Sequence, residues 1–357
     1  MFFYHLAGGP TWEVITEDTD LRDFQLLKTL IGRDVFWANV GWDCDKLNLP
    51  LGHKNYLVMV EGPELAWIER EAERLGRPID VLGMVNDYGY SHPLVRYHPW
   101  IEWHYQTRRM IQAFPWAGKS DSCNIISALS ARPTQSKIWV LVKLLRLFPQ
   151  DQILVSLGAN IEPKNVHGWK HTGCAELDDL TDEFVDKYLD KVSFSVDEFD
   201  AVKQDIKNNH NYNARPYRDV IFNINNESWH YSLHQVNERK FTWPGPFLTE
   251  KTMKCLLSET ALINNGQFDT YRTLEDLGFK FDYNMDLGYD RLPENLDRAR
   301  GLMTLLDNLS QMTVDQCAEA TIDSRIHNRQ HIVSGDFYDI CEKKNLQTIA
   351  HLLENML

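Results

Sequence analysis

Cysteine is scarce in this chain. Six residues in 357, Cys44, Cys123, Cys174, Cys255, Cys317 and Cys341, are scattered without pairing rhythm. Such usage excludes a disulfide scaffold and fits a reduced, cytoplasmic setting, the more so because Cys255 lies in a stretch expected to form a buried helix. No apolar run approaches the roughly 20 residues that span a bilayer. The first residues, Met1 to Gly9, lack both a basic leader and a full apolar segment, so no secretory signal is expected. Positive charge is also in deficit, and a net charge of −14 argues against a surface given over to nucleic acid or anionic membrane, although it leaves room for a local basic groove. Repeats and low-complexity segments are absent.

What remains is ordinary soluble composition, 43% hydrophobic and 25% charged, in a chain long enough for about two domains. Periodicity predicts an α/β protein. In the first half, Tyr56–Glu61 reads as a strand, Pro63–Leu75 as a helix with proline in its first turn, and Ile79–Val85 as a second strand. Residues 87–119 read as a linker-like region rich in aromatics. A second half opens with a strand at Cys123–Leu129, then a helix from Lys137 and a strand at Ile153–Leu157. Phe222–Ser228 alternates as a strand does, and Ala261–Gly266 looks like the next strand and its turn. The acidic residues between Glu176 and Asp205 are spaced among Leu, Phe, Val and Tyr, as on a solvated helix pair or loop cover.

Between those last two strands lies the segment with most chemical content. Trp243-Pro244-Gly245-Pro246 leads into Phe247-Leu248-Thr249-Glu250-Lys251-Thr252, a loop that ends in a threonine cap and opens a helix. A helix start presents unpaired N–H groups and a positive dipole end, which suit a phosphate. Lys251 can add a point charge, and Glu250 can accept hydrogen bonds from ribose hydroxyls. The plainer reading is a common helix cap worth about 1 kcal/mol. Strand, loop, helix and strand make a βαβ unit, and ligands of such sheets gather where the strands end.

Other patterns carry less. His167, His171 and Cys174 have ligand types at suitable intervals, but the second pair of a closed zinc site is missing nearby; His327 and His331 share a helical face. No metal is expected at either. Residues 88–119 interleave Tyr90, Tyr97, Trp100, Trp103, Tyr105, Phe114 and Trp116 with His92, Arg96, His98, His104, Arg108, Arg109 and Lys119. Aromatic faces among cations suit stacking on sugars, on an unstacked nucleobase, or on one another in a packing layer.

Several blocks together resemble a known family. A strand ending in Glu227-Ser228, a variable loop, and an aromatic-x-Thr-Glu-Lys helix opening are similar to the donor-binding half of α-1,3-fucosyltransferases. The likeness is closer to phage and bacterial glycosyltransferase-like proteins, which share Leu277-Gly278-Phe279-Lys280-Phe281 and a Tyr289-Asp290 followed by Arg298. Ser130 to Lys137 is similar to the family's Arg-rich opening of that half. Lys137 stands where the family's last Arg stands, with Arg132 before it, and lysine keeps the charge without the bidentate fork.

The resemblance covers about residues 122–300. It implies two Rossmann-like domains facing across a cleft, the GT-B type: an acceptor domain over 1–120, a nucleotide-sugar domain over 121–300, and helices over 301–357 packing on or crossing between them. It also implies a metal-independent, inverting transfer from a UDP- or GDP-linked sugar as co-substrate, with no other cofactor. Lys137, Arg132, Glu227, Ser228, Thr249, Glu250 and Lys251 would bind the donor, and Trp103, His104, Arg108 and Arg109 the acceptor. The base should project from the first half, with Glu61 the first candidate and Asp87 the second, although each also reads as a strand-end turn residue or cap. Tyr289 and Asp290 would shape the final turn, and Arg298 would be an exposed helix residue. Three functions stay open: transfer to a glycan or small acceptor, transfer to a hydroxymethylated base in duplex DNA (in the host cytoplasm if viral), and sugar-nucleotide binding without turnover.

Overall fold

The computed structural model describes residues 2–5, 13–14, 35–40, 48–60, 65–83, 91–101, 107, 111, 118–120, 123–130, 134–157, 172–188, 215–227, 233–236, 239–242, 246 and 248–356. The chain forms two compact units. One comprises Met1–Tyr105, Ser232–Phe247 and Tyr338–Leu357; the other comprises Gln106–Tyr231 and Leu248–Phe337. Both are α/β with parallel sheets. The expected break near residue 120 thus falls at 105/106, and the second unit runs past residue 300 to Phe337.

The first unit holds strands β1 (Phe2–His5), β2 (Glu13–Val14), β3 (Val35–Val40), β4 (Asn55–Val60), β5 (Ile79–Gly83) and β6 (Val95–Pro99), in the order β2-β1-β3-β4-β5-β6. Every neighbouring pair is parallel except β1 with β2. Helix α1 (Leu65–Leu75) follows β4 and buries Leu65, Trp67, Ile68 and Ala72 at the 3- and 4-residue spacing of an amphipathic helix. On one sheet face Val35, Trp37, Leu57, Met59 and Leu82 form a core with Trp100 and with Ile349 and Leu352 of the C-terminal helix. That helix is fastened by Asn345, which donates to Ile101 O at 2.8 Å and accepts from Ile101 N at 3.0 Å.

Strand β6 lies inside the region expected to be a linker. Its alternate side chains Arg96 and His98, counted in the sequence among the cations of an aromatic surface, both turn onto Asp80, buried on β5. Arg96 Nη2 lies 2.6 Å from Asp80 Oδ2, and His98 Nε2 lies 2.8 Å from Asp80 Oδ1. A buried carboxylate needs such partners, so the polar strand is held by the charge it neutralises.

The second unit holds β7 (Asn124–Ser130), helix α2 (Gln135–Leu147), β8 (Ile153–Leu157), α3 (Ala175–Lys187), the single turn α4 (Arg215–Arg218) and β9 (Val220–Asn226). Between β9 and the next helix a hairpin, β10 (Leu233–Val236) and β11 (Arg239–Thr242), belongs to the first unit. Then come α5 (Glu250–Leu257), β12 (Ala261–Asn265), α6 (Thr270–Glu275), α7 (Asn295–Leu309) and α8 (Val314–Ser334). Gly335, at φ +101°, ends α8 in the left-handed conformation that glycine tolerates, and α9 (Asp336–Met356) follows.

The sheet order is β12-β9-β7-β8, all parallel. The chain steps from β7 outward to β8 and then returns to the other side of β7 as β9. That reversal creates a switch point between β7 and β9, at whose carboxyl edge an open α/β sheet forms its crevice. The first sheet also turns back, at β1, from which the chain steps to β2 on one side and to β3 on the other, but there the outer neighbour β2 is antiparallel. The acidic helix α3 is amphipathic, as expected, and buries Leu177, Leu180 and Phe184. It packs on α2, where Trp139 Nε1 donates to Thr181 Oγ1 at 2.9 Å.

Candidate functional site

Strands β7 and β9 deliver a run of polar residues to their carboxyl ends. Asn226, the last residue of β9, donates to Ser130 Oγ, the last residue of β7, at 3.0 Å, and accepts from Asn265 Nδ2 of β12 at 2.6 Å. All three are at least nine-tenths buried. The strand ends are thus tied by side-chain amides above the last ladder bonds, which fixes the edge on which the next loops stand.

Glu227 follows directly and is 2% exposed. Its carboxylate accepts from Thr249 N (3.0 Å), Thr249 Oγ1 (2.8 Å), Thr252 Oγ1 (3.0 Å) and Asn225 Nδ2 (2.9 Å). A buried ionised carboxylate is tolerable only with such a donor set. Glu227 is therefore a pin: it ties the end of β9 to the first turn of α5. From the sequence Glu227 was expected to hold the donor sugar or to orient Lys251; three of its protein donors lie on Oε1 and one on Oε2.

Thr249 caps α5 as the sequence suggested, its Oγ1 accepting from Lys251 N at 3.3 Å. The Lys251 side chain folds back over this turn. Its Nζ donates to Thr249 Oγ1 at 3.1 Å and stands 3.9 Å from Glu227 Oε2, with the side chain 32% exposed. An ammonium is thereby held beside a helix start, over a buried carboxylate, with part of its surface in solvent. Glu250 opens the helix; its side chain lies outside the described residues.

Lys137 sits in the first turn of α2, directly after β7, and is buried at 6% exposure. Glu61, Asp87, Arg132, Ser228, Trp103, His104, Arg108, Arg109, His167 and His171 also lie outside the described residues. His327 and His331, which stack at 5.9 Å, are each engaged by a backbone carbonyl, Gly278 O at 3.0 Å and Leu277 O at 2.7 Å.

The Tyr289-Asp290…Arg298 block is structural in a way its sequence does not suggest. Strand β12 is the sheet edge, and its outward backbone groups are satisfied by tyrosine hydroxyls in place of a fifth strand. Leu262 N donates to Tyr283 OH (2.9 Å) and Asn264 N to Tyr271 OH (3.0 Å); Tyr271 OH donates to Leu262 O (3.1 Å) and Tyr289 OH to Asn264 O (2.8 Å). An edge blocked in this way cannot recruit another strand. Arg298, expected to be exposed, is 1% exposed. Its guanidinium holds the carbonyls of Gly266 (3.1 Å) and Leu292 (2.7 Å), so a charge that would be costly to bury alone closes the turn after β12.

Asn225, Asn226, Asn265, Ser130 and Thr252, which hold these strand ends and the helix start, do not stand out in the sequence as functional residues. Their trace was the Asn223-Ile224-Asn225-Asn226 run: asparagine at alternate positions of a strand buried throughout. Compared with known proteins, the chain matches no family model, no curated protein and no solved structure. No helix among the described residues is long and apolar enough to cross a membrane.

Proposed function

We propose that the chain is a glycosyltransferase that takes a UDP- or GDP-linked sugar at the carboxyl edge of the second unit, with the two units arranged as in the GT-B type. The observation that carries the reading is Lys251: a partly exposed ammonium pinned at the start of α5, which Glu227 ties to the end of β9 at the switch point between β7 and β9. Transfer from a nucleotide sugar requires charge neutralisation on the departing diphosphate, and a fixed ammonium beside a helix dipole supplies it. Glu227 and Thr249 set that geometry. The resemblance in the Thr249-Glu250-Lys251 and Leu277–Phe281 blocks supports the same assignment, and the acceptor base belongs to the first unit.

Calorimetric titration with UDP and GDP, on wild type and Lys251→Ala, tests the donor site. Binding of one nucleotide that weakens at least tenfold in the variant is expected. Equal affinity in both proteins, or none in either, would refute the site. Sugar transfer is then scored on glycan acceptors and on hydroxymethylated duplex DNA, and absence of product from every UDP- and GDP-sugar would leave a binder without turnover.

A further inference from the structure

Asp290 is 1% exposed, and its two oxygens tie strand to helix: Oδ1 accepts from Asn264 Nδ2 of β12 at 2.6 Å, and Oδ2 from Tyr271 N of α6 at 3.0 Å. Its backbone carbonyl accepts from Asp269 N at 2.7 Å. The charged and titratable groups around it are Arg298 of α7, Asp269 of the preceding turn, Tyr271 and Tyr289. The Asn264 carboxamide also donates to Gln267 O at 2.9 Å, so Nδ2 faces two acceptors while its Oδ1 is buried with no hydrogen-bond partner. That orphaned oxygen lies against Gly266: a Cβ built on Gly266 would come within 2.7 Å of it and within 3.3 Å of Glu227 Cβ. The Asn264 carboxamide, bonded to a buried carboxyl group on one side, and the stem of the residue that positions Thr249 and Lys251 therefore both border Gly266.

Two arrangements of this pair satisfy opposite halves of its hydrogen bonding. With Asp290 ionised, the carboxamide donates to it and leaves its own oxygen unpaired beside Gly266. With a proton taken from water onto Oδ1, the new O–H donates to Asn264 Oδ1 once the carboxamide turns over, and Nδ2 then faces Gly266 and the Glu227 stem. Gln267 O keeps its bond from Thr270 Oγ1 at 2.9 Å in either arrangement. The first arrangement costs a buried charge and an orphaned acceptor; the second costs the bond to Gln267, brings Asn264 Oδ1 against that carbonyl oxygen and turns Nδ2 toward carbon atoms.

We propose that Asp290 and Asn264 form a proton-driven two-position switch that presents either an acceptor or a donor beside Glu227, and so regulates the anion site at Lys251. The regulatory half rests on the donor-site reading above; the switch itself does not. Burial pushes the Asp290 carboxyl up to about 7, which puts the changeover near neutral pH.

The test follows the Asn264 side-chain amide by NMR in asparagine-labelled protein from pH 5 to 9, with the signal assigned by its loss in Asn264→Ser. Asp290→Asn mimics the protonated form, because the new carboxamide donates to Asn264 Oδ1 and accepts from Tyr271 N. The wild-type signal should titrate with a midpoint near neutrality, and Asp290→Asn should hold the low-pH position throughout. A pH-invariant wild-type signal, or a variant that titrates like wild type, overturns the switch. In parallel, affinity for UDP and GDP should change about fivefold between pH 6 and 8 in wild type and stay flat in Asp290→Asn. Nucleotide binding equally flat in both proteins overturns the coupling. If neither nucleotide binds at any pH the donor-site reading and the coupling fail together, while the amide titration still decides the switch.

Discussion

Removal of the Glu227 carboxylate is the most demanding perturbation of the site. In Glu227→Ala the N–H groups of Thr249 and Asn225 lose their acceptor inside a space closed to water. Each orphaned buried donor costs about 1–3 kcal/mol. The hydroxyls of Thr249 and Thr252 can rotate to other acceptors, so the two N–H groups dominate, and a loss of about 2–6 kcal/mol is expected. That is a large part of the roughly 5–15 kcal/mol that stabilises an ordinary domain. Glu227→Gln keeps the carbonyl oxygen that faces Thr249 N, Asn225 and Thr252, and its amide can donate to Thr249 Oγ1. Only charge assistance is lost, and about 1–2 kcal/mol is expected. Urea unfolding of the three proteins, read as midpoint shifts at constant slope, gives both numbers. A Glu227→Ala protein within about 1 kcal/mol of wild type would refute the claim that this carboxylate pins α5 to the sheet. So would a glutamine variant as unstable as the alanine one.

Three further outcomes follow from the same geometry. Lys251→Ala should leave stability within about 1 kcal/mol, because a 3.9 Å pair with a part-exposed lysine contributes little, while nucleotide affinity falls about 10- to 100-fold; calorimetry and urea unfolding on one preparation check both. Tyr283→Phe removes the hydroxyl that accepts from Leu262 N and should cost about 1–3 kcal/mol by urea unfolding, with concentration-dependent association by light scattering as the β12 edge opens. Lys119 donates to Tyr217 O, Val220 O and Thr260 Oγ1, and burial pulls its ammonium down to about 7. From about pH 7 to 10 the unfolded chain then binds the extra proton, so stability rises with pH across that window. The slope should flatten in Lys119→Met, as measured by unfolding at pH 7, 8.5 and 10.

The elements legible in the sequence were those whose apolar pattern is local. Strand β8 was read with its observed bounds, and α2 and β12 within a residue or two, because runs such as Ile138–Leu145 bury whichever side they present. Strand β6 was missed because Val95-Arg96-Tyr97-His98 is polar until Asp80, sixteen residues earlier, is brought beside it. Arg298 was misread as exposed for a similar reason: the carbonyls that hold it belong to turns at 266 and 292, and a helix pattern does not reveal them.

By itself the sequence determined an α/β chain of about two domains and a capped helix start at Thr249 with a lysine in its first turn. Those features depend on composition, periodicity and contacts a few residues apart. Only the tertiary structure decided that β9 returns to the far side of β7, which puts that helix start beside a switch point. It also decided that Glu227 is buried as a pin and that three tyrosines close the β12 edge. The Glu227 bonds and those of Tyr283 and Tyr289 join groups 21 to 25 residues apart, and they exist only after the sheet has set the strand order.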